Sequence, residues 1–158
     1  MGKDPALDCF DEESISYAES LGSPESLQDL ERLTTELSEL KDGMGETLSL
    51  VVQGADCAQY LTKFVLYWWT ATSVRTQVGT RLREADGHSE RLATGLLQLL
   101  RKENTDKKPD PVSVEFAWGL TRSLFDGVRA YRRHLQLLDD TAERLERDAL
   151  YNIIGPAA

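Results

Sequence analysis

The chain has 158 residues, 41% of them hydrophobic, with two cysteines and a net charge of −9, which fits one domain with a sizeable core and an ordinary globular composition. Residues 1–60 hold 3 Lys/Arg against 14 Asp/Glu, and residues 61–158 hold 15 against 13, so the acidity belongs to the front of the chain. That balance argues against a sequence-independent grip on nucleic acid or on an anionic membrane, both of which need a basic surface. With only Cys9 and Cys57 and no apolar leader at the start, the expectation is a cytoplasmic, reduced protein with two idle thiols.

Residues 1–22 carry six acids against Lys3, and Leu7, Phe10, Tyr17 and Leu21 share one helical stripe. This segment reads as a partly flexible acidic tail or a short docking helix. Ser23-Pro24-Glu25 then opens the first secure helix, with Ser as N-cap, Pro at the first helical position and acid in the first turn. Leu30, Leu33, Leu37, Leu40, Met44 and Val51 recur at 3-4 spacing, with Leu27 before them, a seam that wants a partner helix. Gly43 and Gly45 interrupt it at about 1 kcal/mol each inside a helix, so a turn is expected over 42–46 and helices over 24–42 and 46–85.

The second helix holds the most apolar stretch, Tyr60 to Trp69. Cys57, Leu61, Phe64, Trp68, Ala71, Val78, Leu82 and Ala85 form its seam, with Arg75 the exception and Asp86-Gly87 the expected end. Within it Leu82-Arg83-Glu84-Ala85-Asp86 is similar, over five residues, to the Leu-x-x-x-small-Asp core of the BH3 peptides of cell-death regulators. It departs from them at Gly87 and His88, where a hydrophobic residue would follow, and nothing further is carried over. A third helix is expected over 89–102 on Leu92, Leu96 and Leu99, followed by the proline-bearing loop to Pro111. The last, over 112–154, keeps a 4-3 spacing from Leu124 to Ala149 and stops at Gly155-Pro156.

These elements predict an all-α fold, an elongated antiparallel helical bundle of long heptad-patterned helices over 23–158. Enzyme signatures are missing from the sequence. His88 and His134 have no carboxylate or cysteine at ligand spacing, so both are expected at the surface, and no phosphate-binding Gly-rich loop, zinc site or di-iron pattern is present. No cofactor or metal is therefore expected.

The function expected is a non-enzymatic protein-protein interaction or assembly module, an adaptor or scaffold subunit that forms a homodimer or binds a helical partner. The alternatives are a membrane-surface helical dimer and a bundle enclosing a small apolar ligand. Leu66 and Trp69 project beyond the seam and Trp118 and Phe125 form a second stripe, and with Trp68 these are the expected interface residues. Arg101, Lys102, Lys107 and Lys108 gather before the last helix as a small basic patch, suited to the acidic N-terminal segment or an acidic partner.

Overall fold

The computed structural model describes residues 9–54, 57–103 and 111–155, and among these every regular element is a helix. They are α1 (Glu12–Ser20), α2 (Pro24–Val52), α3 (Cys57–Glu103) and α4 (Pro111–Ile154). Asp11 caps α1 in extended conformation, its carboxylate accepting the Glu13 N–H, and Glu12 and Glu13 occupy the first turn. Ser23 caps α2 as its sequence requires, Oγ accepting the Ser26 N–H at 3.2 Å.

Two expected breaks do not occur. α2 runs through Gly43 and Gly45 for 29 residues, because Gly43 serves a close approach rather than a turn. A Cβ there would stand 3.3 Å from the Tyr67 hydroxyl oxygen. In its place the Gly43 carbonyl, Thr47 Oγ1 and Tyr67 Oη sit 2.8 to 3.1 Å apart and share two hydroxyl protons. α2 ends instead at Val52, ahead of Gly54, whose φ of +94° is left-handed. The helix expected over 46–85 is instead divided, its start belonging to α2 and the rest to α3 from Cys57, and α3 passes through Asp86-Gly87 to take in the helix expected over 89–102. Burial of Ala85 and His88 on either side outweighs the roughly 1 kcal/mol a mid-helix glycine costs. α4 does end at Gly155, with φ +75° and its N–H bonded to the Tyr151 carbonyl.

The chain divides into two compact units. Unit 1 comprises the described residues up to Leu27 with Leu82–Arg133. Its core joins Cys9, Phe10 and Ala18 to Ala85, Leu92 and Leu99 of α3 and to Leu124 and Val128 of α4. Phe10 packs on Gly95 and Ser14 and Tyr17 reach His88, so α1 lies antiparallel to α3. From Cys9 onward the front segment packs on α3, its helix being Glu12–Ser20; residues 1–8 lie outside the described set.

Unit 2 comprises Gln28–Arg81 with the described residues from His134 onward. α2 contributes Leu30, Leu33, Leu37, Leu40 and Met44 to its core, α3 contributes Phe64, Ala71, Val74 and Val78, and α4 contributes Leu135, Leu138, Ala142, Leu145 and Ala149. The direction of packing is fixed by polar pairs. Asp29 holds Arg81 through two hydrogen bonds while Thr47 meets Tyr67, so α2 and α3 are antiparallel. Tyr60 donates to Asn152 and Arg75 to Glu146, so α3 and α4 are antiparallel. Unit 2 is therefore a three-helix bundle of alternating direction.

Candidate functional site

Leu61, taken from its spacing as a seam residue, is exposed, as is Leu27. Ten of the thirteen large hydrophobic side chains exposed among the described residues lie at one end of unit 2, where α2 runs out, α3 begins and α4 finishes. From α2 come Leu48, Leu50 and Val52, the last 88% exposed. From α4 come Leu150, Tyr151 and Ile154.

The centre of this surface is the outer side of α3. The residues at 67, 77 and 81 bond to α2, and those at 72 and 75 bond to α4. Helical periodicity then puts Val65 and Trp69 on the outer side, Trp69 bordering the groove against α2, with Leu66 toward the α2 edge and Leu61 toward the α4 edge. Trp69 is 66% and Leu66 59% exposed.

No charge interrupts α3 from Phe64 to Val74. The hydroxyls of Thr62, Thr70, Thr76 and Thr80 are bonded to the carbonyls four residues back, which blunts their polarity. Leu50, the four α3 residues, Leu150 and Ile154 together expose roughly 650 Å² of apolar side chain, taking about 150–250 Å² for each when bare. A typical monomer's largest apolar patch is about 300–600 Å².

Charges flank the stripe unequally. On the α2 side Glu36, Glu39 and Leu40 line a shallow groove with Trp69, Thr70 and Ser73. Glu36 pairs with Arg32. On the α4 side Arg75 meets Glu146 at 3.0 Å and Asp139 at 3.6 Å. Burial opposes its charge, but the bond to Glu146 and the neighbouring Asp139 and Glu143 outweigh it and raise the guanidinium's pKa. Arg75 is thus the tie between α3 and α4. Between α2 and α4 a second groove of about 430 Å³ is lined by Met44, Leu48, Leu145 and Tyr151, with Lys41, Arg144 and Asp148 at its rim.

The residues expected at an interface separate. Leu66 and Trp69 are exposed, Trp68 is half-buried, and all three belong to unit 2. Trp118 and Phe125 belong to unit 1, where Trp118 is half-buried and Phe125 packs against the core. Of the basic patch, Arg101 is exposed in the last turn of α3. The Lys102 side chain, Lys107 and Lys108 lie outside the described set. The acidic arm meets Arg91 through Asp11 and Glu13 at 3.6 and 3.7 Å.

His88 is not at the surface. It is buried, stacked on Tyr17 with ring centroids 4.1 Å apart, and its Nδ1 lies 2.9 Å from Ser14 Oγ, which donates to Asp11 at 3.2 Å. Serine stands between acid and imidazole here, whereas a nucleophilic triad places the imidazole between acid and serine. With Ser14 fully buried, the chain of bonds acts as a latch for α1. Its sequence signal was weak because Ser14 and His88 are 74 residues apart. Burial pushes the Tyr17 phenol well above its ordinary pKa, with Tyr131, Glu84 and Asp86 adding to the shift. In the five-residue stretch similar to BH3 cores, Ala85 is fully buried and Asp86 pairs with Arg132, so it belongs to the framework of unit 1.

Asp139, Asp140 and Glu143 bring carboxylates together on α4, but Asp139 faces Arg75, and exposed acids cluster without an ion. No described helix is long and apolar enough to cross a membrane. Comparison with protein families, with curated proteins and with solved structures gives no match for this chain.

Proposed function

We propose that the chain is a non-enzymatic interaction module that docks through the outer face of α3 in unit 2. The supporting observation is the stripe of Leu61, Val65, Leu66 and Trp69, exposed and uncharged over three turns. Burying it at about 25 cal/mol per Å² is a substantial driving force, and a Trp at the centre of such a patch is the usual anchor of a protein interface. Around it the acids Glu36 and Glu39 border the groove beside Trp69, and lone cations such as Lys63 do not amount to the clustered basic surface that anionic lipid needs.

The test is a Leu66→Glu/Trp69→Glu variant studied by thermal melting and by light scattering of the full chain. An interface predicts an unchanged helical signal, a Tm within a few degrees of the parent, and loss of association. A variant that unfolds would return both side chains to the core and end this reading.

A further inference from the structure

The occupant of the stripe follows from its area and its charges. A standard interface buries about 800 Å² per partner, a little over half of it apolar. The roughly 650 Å² of exposed apolar side chain around Trp69 supplies that apolar share in full. The absence of charge from Phe64 to Val74 lets the same surface face itself without repulsion, which a two-fold contact requires.

Two arrangements about a two-fold axis are open to such a stripe, and Lys63 decides between them. Lys63 lies on the 4-3 row with Tyr67, Thr70 and Gln77 that faces α2. With the two α3 helices parallel, its edge would meet the partner's α4 edge, where Arg147 and Leu150 stand. With the helices antiparallel and centred near residue 67, α2 edges meet. Lys63 of one copy then reaches the level of Thr70 and Ser73 in the other, beside Glu39 in the groove. Neither Lys63 nor Glu39 has an ion-pair partner among the described residues, and the contact repeats twice by symmetry.

We propose, resting on the interaction reading above, that the partner is a second copy of this chain. The two copies pack antiparallel through Val65, Leu66 and Trp69, with Lys63 of each opposite Glu39 of the other. The test is the dimer dissociation constant of the full chain, from light scattering over a dilution series, for the parent, Lys63→Glu, Glu39→Lys and the double reversal. Each single change should weaken the dimer about tenfold, and the double reversal should restore it, as charge pairs across an interface do.

A double reversal weaker than either single would overturn the antiparallel arrangement. A parent that stays monomeric at about 200 µM, well above the micromolar-to-picomolar range of interfaces of this size, would overturn the second copy as partner. Acrylamide quenching separates that failure from the wider one. A monomer with freely quenched Trp69 keeps the interaction surface, and a monomer with shielded Trp69 removes both.

Discussion

Gly95→Ala sets two effects of opposite sign against each other. In an exposed helix interior the change stabilises by about 1 kcal/mol. At Gly95 the added Cβ would stand 2.5 Å from Phe10 Cδ1 and 2.9 Å from the Cys9 carbonyl oxygen. Neither is the free end of a flexible side chain, so the Cys9-Phe10 segment must lift. Phe10 is 6% exposed, and bringing its ring back to water costs about 2–3 kcal/mol. The net expectation is a loss of about 1–2 kcal/mol, felt first in α1. Amide exchange across Glu12–Ser20 should quicken about 5- to 30-fold. In a Phe10→Ala background the same change should cost less than in the parent, because the ring contact is gone and only the Cys9 carbonyl still crowds the added Cβ. If Gly95→Ala alone raises stability by about 1 kcal/mol, the docking of the arm in this notch is wrong.

Gly45→Ala, with nothing within 4 Å of its added Cβ, should stabilise by about 1 kcal/mol in a denaturant titration if α2 is continuous; a turn at this glycine predicts a loss. Tyr17 is held in its neutral form, so its contribution is full below the ordinary phenol pKa of 10.0 and is lost as pH rises above it. Alkaline titration should therefore release α1 above about pH 10, and Tyr17→Phe should reduce that sensitivity at no cost, since the buried hydroxyl has no partner. The Asp29 carboxyl is held below its ordinary 3.8, chiefly by the hydrogen bond from Arg81 and also by Arg32, against a smaller opposing effect of burial. Its stabilisation is present above that value and lost as pH falls through the lower folded pKa. Asp29→Asn should cost about 1 kcal/mol at neutral pH and flatten the acid limb of a pH-stability curve.

Much of the core was legible because periodicity reports burial. Phe64, Ala71, Val78, Ala85, Leu92 and Leu99 recur every seventh residue along α3 and are all fully buried. Helix ends were less legible, because a glycine's role depends on what lies opposite it. Gly43 makes room for Tyr67, whereas Gly54, with the same local permissiveness, takes the left-handed turn. His88 could not be placed from its neighbours in sequence, since its partners come from α1. The interface reading divided for a related reason: Trp68 and Trp69 are adjacent, and only the register set by Thr72 and Arg75 on Glu146 decides which one faces outward.

The most direct test of the account is the accessibility of Trp69 itself, read by acrylamide quenching in a Trp68→Phe/Trp118→Phe chain alongside its solution mass. The account predicts strong quenching in dilute monomer and a several-fold fall in quenching as the mass doubles. Quenching that stays constant while the mass doubles would place the contact elsewhere and contradict it.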